Sequence, residues 1–256
     1  MLSAERKRVL LERVRSEGRL VATQLAGELG VSHDTIRRDL RELAAEGLVQ
    51  RVHGGALPAS PALAPFPARQ EIGTGAKERV AGVAARLVEP GQTVVLDGGT
   101  TALAVARALP ADLVATIVTH SPTIAVALAD HPSVEVLIVG GRLFKHSVVT
   151  VGALAAEAIQ AIQADACFIG VTGVHPTRGL TTGDADEAAI KRAFARRSAD
   201  TYVLASSEKL GAVSPHTVVE WNHVTAVVTD APASHPTVRA LRRKGITVAS
   251  AERTVR

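Results

Sequence analysis

Aromatic residues make up only 2% of this 256-residue chain: four Phe, one Tyr and one Trp. Binders of single-stranded nucleic acid stack bases on aromatic side chains, so that mode of binding is all but excluded. The single cysteine, Cys167, rules out a disulfide within the chain. Its apolar setting, Ala166-Cys167-Phe168-Ile169, predicts a buried, inert thiol. Long hydrophobic runs are missing too. The apolar stretches have the length of strands, and charges from Glu5 to Arg8 leave no apolar signal region, so the expected location is the cytoplasm with no membrane partner. The nine histidines show no HExxH and no paired Cys/His spacing, which argues against a metal site. The nucleoside-triphosphate loop Gly-x-x-x-x-Gly-Lys-Ser/Thr is absent, and no GxGxxG follows the first strand of the second half.

What is present suits two domains, since the chain is too long for one small module. Hydrophobic residues make up 46%, so the core must be built from Ala, Val, Leu and Ile. The net charge of +4 is compatible with a nucleic-acid partner without requiring one. Residues 1–57 carry three helical patterns. Val9, Leu10 and Val14, with Leu2, mark the first, which Gly18 should stop. Val21, Leu25 and Leu29 mark the second, which Gly30 should end. A tight turn leads to the third, where Ser32 is placed to cap the first turn and Gly47 to close the helix. Ile36, Leu40 and Leu43 face inward; Asp34, Arg37, Arg38 and Arg41 lie around the other side, flanked by His33 and Thr35 near the helix start. Two helices joined by a glycine turn form a helix-turn-helix. A basic hairpin, Leu48 to Ala56, follows with Arg51 and His53 beside Gly54-Gly55. A solvated helix face, with Asp34, Asp39, Glu42 and Glu46 pairing the arginines, is the plain alternative. The helix and hairpin together fit the major groove of duplex DNA with a wing over the backbone.

Residues 58–75 hold Pro58, Pro61, Pro65 and Pro67, which predicts an extended linker rather than core. From 76 to 256, apolar strands alternate with helices, as in a mostly parallel sheet covered on both faces. Ligands bind such sheets beyond the carboxyl ends of the strands. There the chain places Asp97-Gly98-Gly99-Thr100-Thr101, Thr119-His120-Ser121, Gly140-Gly141-Arg142, Thr172-Gly173 and the loop holding Lys209. Glycine amides, threonine hydroxyls and a helix N-terminus suit a small anion. Asp97 is open to two roles, general base or acceptor for a hydroxyl. Glu187 and Lys191, four apart, read first as a helix-stabilising pair and second as a lysine reaching a ligand.

Val31 to Leu40, Leu43, Gly47-Leu48, Arg51 and His53-Gly54-Gly55-Ala56 closely resemble the winged helix of the DeoR family of bacterial transcriptional regulators. The second half resembles the family's effector domain in Asp97 to Thr101, Gly140-Gly141, Val151-Gly152, Phe168-Ile169-Gly170, Gly179-Leu180-Thr181, Glu187 with Lys191, and Lys209-Leu210-Gly211. The resemblance implies a small helical winged helix-turn-helix domain followed by an α/β domain similar to ribose-5-phosphate isomerase. It implies a repressor of sugar uptake and catabolism genes, released from operator DNA by a phosphorylated sugar, with no cofactor and a dimeric or tetrameric assembly. The DNA-binding residues would be Ser32, His33, Thr35, Arg37, Arg38, Arg41, Arg51 and His53. The effector residues would be Asp97, Gly98, Gly99, Thr100, Thr101, His120, Gly140, Gly141, Lys191 and Lys209. Family members usually carry Thr-Asn-Ser where this chain has Thr119-His120-Ser121, and Asp where it has Ala205. Both departures fall at the expected pocket, where His120 would add a phosphate donor. The alternative is a sugar-phosphate isomerase or deaminase fused to a DNA-binding domain, for which Asp97 and Glu187 are the nominated pocket carboxylates.

Overall fold

The computed structural model describes residues 2–17, 19–46 and 48–251, so the expected helix stops at Gly18 and Gly47 lie outside the described residues. The first domain runs α1 (Ser3–Glu17), β1 (Leu20–Val21), α2 (Ala22–Leu29), α3 (His33–Ala45), β2 (Val49–Val52) and β3 (Gly55–Pro58). Gly30, at φ 61°, ends α2 in the left-handed conformation that spares glycine a Cβ clash. Ser32 caps α3, its Oγ accepting the Thr35 amide at 3.2 Å. Leu10, Val14, Leu25, Ile36, Leu40 and Leu43 form the core. Two positions differ from the sequence reading. Leu2 is exposed, and Val21 sits in β1 rather than on the inner face of α2, because the chain there pairs with the hairpin.

The hairpin forms a three-stranded sheet in the order β1-β3-β2. Gly55 pairs with Val21, and a Cβ on Gly55 would lie 1.7 Å from the Leu20 carbonyl oxygen. Gly55→Ala is therefore expected to destabilise the domain by about 1–3 kcal/mol or more. Thermal unfolding checks this; an unchanged midpoint would mean that β1 does not seal the wing.

Residues 58–75 are not extended throughout. They close with a short 3-10 turn, Pro61–Leu63, and α4 (Phe66–Glu71). Prolines at the start of α4 fit its first turn, where no amide donor is needed, and Phe66 inserts into the core of the second domain.

The second domain continues with α5 (Thr74–Ala85), β4 (Thr93–Leu96), α6 (Thr100–Arg107), β5 (Ala115–Thr119), α7 (Pro122–Leu128) and β6 (Val134–Ile138). A hairpin of β7 (Arg142–Phe144) and β8 (Val149–Val151) leads to α8 (Ala153–Gln160) and β9 (Ala164–Gly170). Then come β10 (Gly173–His175), β11 (Gly179–Thr182), α9 (Ala185–Arg196), β12 (Ser198–Leu204), β13 (His216–Thr217), β14 (Ala226–Thr229), α10 (Pro236–Arg243) and β15 (Val248–Ser250). Seven parallel strands form the central sheet in the order β15-β14-β12-β9-β4-β5-β6. Strand alternation sorts the core into two layers. Val94, Leu96, Ile117 and Phe168 face α5, α6 and α7. Val95, Cys167, Ile169 and Val203 face α8, α9 and α10. Cys167 is fully buried, and burial pushes its thiol pKa up. Strand order grows one way from β4 through β5 and the other way from β9 through β12. The crevice at that switch point is where open α/β sheets bind ligands.

Candidate DNA-reading face and ligand cleft

On α3 two of the acidic residues, Asp39 and Glu42, turn toward α1. Asp39 is buried and takes a bidentate ion pair from Arg6, and Glu42 pairs with Lys7. The plain alternative, in which these carboxylates neutralise the helix's own arginines, is not the arrangement found. Arg37, Arg38 and Arg41 stand exposed, and none of their side chains has a hydrogen-bond or ion-pair partner among the described residues. His33 is exposed at the helix start, while the Thr35 hydroxyl is engaged with Ser32 Oγ at 2.9 Å. Arg51 and His53 are exposed on the hairpin, and a groove lined by His33, Arg37, Arg51 and His53 joins wing to helix. The face thus offers unpaired guanidinium groups on a rigid helix, as phosphate and base-edge contacts require.

At the switch point a cleft holds about 510 Å³ of open space counting its mouth. Gly98, Gly99, Thr100, Thr101, Lys191 and Lys209 all line it. Gly99 adopts φ 107° and starts α6 without a side-chain cap, so the positive end of that helix points at the cleft. Lys209 is buried, its ammonium 3.3 Å from Thr101 Oγ1, and it has no ion-pair partner among the described residues. Burial pushes its pKa down to about 8; nearby Glu208 opposes this, while Arg69, Lys77 and Lys191 add to it.

Asp97 does not face the ligand space. It is fully buried behind the cleft, and both of its oxygens are taken. Oδ2 accepts the Lys191 ammonium and the Gly170 amide at 2.8 Å, while Oδ1 lies 2.9 Å from His120 Nε2. Burial alone would raise its pKa, but Lys191 and the His120 hydrogen bond outweigh it and hold the carboxyl well below the usual range. A saturated, low-pKa carboxylate is neither a base nor an acceptor for a sugar hydroxyl, which corrects both sequence expectations for Asp97. Lys191 likewise pairs with Asp97 rather than with Glu187, a turn away. His120 is fully buried, with Nδ1–H donating to the Thr150 carbonyl at 2.7 Å, so it offers no free donor to a phosphate. Gly140 and Gly141 lie outside the cleft. Gly141 is needed for packing, since a Cβ there would sit 2.9 Å from the Val151 carbonyl oxygen. Ala205 is core.

Two side chains missed by the sequence reading, Arg69 and Lys77, line the cleft, together with Glu187, one of the two carboxylates it nominated for the pocket. Glu187 is buried, yet its carboxylate has no hydrogen-bond or ion-pair partner among the described residues and is left to the cleft. Among the described residues, no cluster of His, Cys, Asp and Glu could hold a metal ion, and no helix is long and apolar enough to cross a membrane.

Comparison with known proteins covers both halves. A model of the DeoR-like helix-turn-helix domain matches residues 6–61, and one of the DeoR C terminal sensor domain matches 73–231. A putative aga operon transcriptional repressor of Escherichia coli O157:H7 is 30% identical over 96% of this chain and 93% of its own. The glycerol-3-phosphate regulon repressor of Escherichia coli K12 is 32% identical over 91% of this chain and 92% of its own. The ribose 5-phosphate isomerase A of Methanocaldococcus jannaschii aligns at 18% identity, TM-score 0.39, over 52% of this chain and 53% of that one.

Proposed function

Because this chain belongs to the DeoR family of transcriptional regulators, we propose that it represses genes of sugar or polyol metabolism and leaves its operator when a phosphorylated sugar fills the cleft. The observation that carries this reading is Lys209. A buried, unpaired ammonium beside an uncapped helix N-terminus and two threonine hydroxyls is a site built for a phosphate. Relatives named for the aga operon and the glycerol-3-phosphate regulon support the substrate class. In this reading Thr100, Thr101, the glycine amides and Lys209 hold the phosphate. Lys191, Asp97 and His120 shape the wall behind it, and Glu187 accepts hydroxyls of the sugar. Arg37, Arg38, Arg41, Arg51 and His53 hold duplex DNA, with Ser32 and Thr35 fixing the start of the helix and His33 beside them. No cofactor enters. The assembly is a dimer or tetramer, since one recognition helix reads one half-site; light scattering on the purified chain measures it.

The effector switches the protein only if it binds the DNA-free form more tightly than the bound form. Fluorescence anisotropy on DNA from upstream of the chain's own gene, with sugar phosphates titrated into the complex, tests this. Release by one phosphorylated sugar and not by its unphosphorylated form is the expected result. Tight binding that no sugar phosphate disturbs would sink the proposal.

Lys209 also sets the pH dependence. Below pH 8 it is charged; an arriving phosphate raises its pKa, so above pH 8 binding must take up a proton. Affinity is expected to be flat from pH 7 to 8 and then to fall toward about tenfold per unit. Calorimetry in two buffers of different ionisation heat reads the proton uptake directly. Lys209→Gln should bind weakly and without that slope; a slope that survives the substitution belongs to another group.

A further inference from the structure

The roof of the cleft comes from the segment that joins the two domains. Ala62, Arg69 and Ile72 line the cleft from above. This strap is tied down at several points. Phe66 is buried, and its amide donates to the His146 carbonyl at 2.8 Å. His146 Nε2 in turn bonds the Leu63 carbonyl at 3.1 Å, and the Lys77 ammonium donates to the Arg69 carbonyl. Only residues 59–65 separate α4 from Pro58, the last residue of the wing strand β3.

Within the strap Arg69 is unusual. Its Nη2 donates to Ser147 Oγ at 3.1 Å, and Nη1 approaches the Gly99 turn. Its Nε is the one side-chain nitrogen or oxygen among the described residues that is buried with no hydrogen-bond partner. Among the described residues no carboxylate comes within ion-pair distance, although Glu187 and Asp97 act on it from further off. A buried guanidinium N–H without an acceptor is costly unless an acceptor arrives. The cleft is where an anion would supply one. Neither matched family segment, 6–61 or 73–231, includes this residue.

We propose that Arg69 contacts the anionic effector and reports occupancy of the cleft to the DNA-binding domain. The inference rests on the reading of the cleft as a phosphate site. An anion beside the Gly99 turn satisfies the orphan Nε–H and draws α4 onto the cleft. Because α4 connects to β3 through residues 59–65, the wing then shifts relative to the sensor domain.

The test uses the full chain, inorganic phosphate at fixed ionic strength, and DNA from upstream of its own gene. Calorimetry, hydrogen–deuterium exchange of residues 61–72 and anisotropy are compared for the unaltered chain, Arg69→Gln, Arg69→Lys and Lys209→Gln. Phosphate should slow exchange across 61–72 in the unaltered chain and weaken its grip on DNA. Arg69→Gln should bind phosphate at least about tenfold more weakly and lose both responses. Arg69→Lys, which keeps the charge but loses the fork, should recover binding in part and guards against a folding defect in the glutamine variant. If Arg69→Gln binds and responds like the unaltered chain while Lys209→Gln does not, Arg69 has no such role and the cleft reading stands. If Arg69→Gln, saturated with phosphate, still releases DNA fully, the coupling role is overturned. Absence of phosphate binding by the unaltered chain overturns both.

Discussion

Asp97→Asn is expected to cost about 3–5 kcal/mol, because it strips the counter-charge from the buried Lys191 ammonium. For a chain of this size that is a fall of roughly 6–20 °C in the unfolding midpoint. The loss arises in a single place. Lys191 keeps its burial, the Gly170 amide meets an amide group in one orientation, and His120 loses its charged partner. The paired change Asp97→Asn with Lys191→Met should restore much of the stability, since it removes the stranded charge along with its partner. The sign of the pH dependence follows from the depressed carboxyl. Its contribution is complete above the unfolded value near pH ~4 and is lost only as pH falls far below that. Thermal or urea unfolding of the single and double variants measures both effects. An Asp97→Asn variant within about 1 kcal/mol of the parent would mean the carboxylate is not desolvated as described.

The second large effect concerns DNA alone. Arg37→Ala together with Arg38→Ala should weaken operator binding by about 2–6 kcal/mol, from tens of fold to complete loss in an ordinary assay. The logarithmic salt dependence should become shallower by about 0.9 for each phosphate contact removed. Folding should be untouched, because neither side chain has a partner among the described residues. Sugar-phosphate binding should persist as well, since the cleft is built by the other domain. Operator affinity equal to that of the parent would remove α3 from the interface.

The elements that sequence made legible are those whose periodicity is local. The capped helix after Ser32, the glycine hairpin and the alternation of strand and helix from Ala76 onward each repeat within a few residues. The Gly98-Gly99-Thr100-Thr101 turn and Lys209 were found because both follow parallel strands, where the carboxyl ends must converge. Asp97 was misjudged because its partners lie 23 and 94 residues away, and a lone carboxylate at a strand end looks free until they are placed. His120 was misjudged for the same reason. Gly140 and Gly141 resembled a phosphate loop, but β6 is the outermost strand and its end lies away from the switch point. The strap was hidden by composition. Four prolines suggested an extended linker, yet Pro65-Phe66-Pro67 also has the form of a helix start, and a phenylalanine in a chain with so few is a plausible anchor. That signal would have brought Arg69 into view.

The division of charge on α3 has a consequence for how such a regulator changes over time. The residues that fasten the helix, Asp39 and Glu42, bond inward to α1, while Arg37, Arg38 and Arg41, proposed to meet DNA, have no hydrogen-bond or ion-pair partner among the described residues. Folding and reading are therefore written at separate positions of one helix. Substitutions on the outer face alter the preferred operator at almost no cost to stability. A duplicated copy of this chain can drift to a new set of promoters one side chain at a time and remain folded at every step.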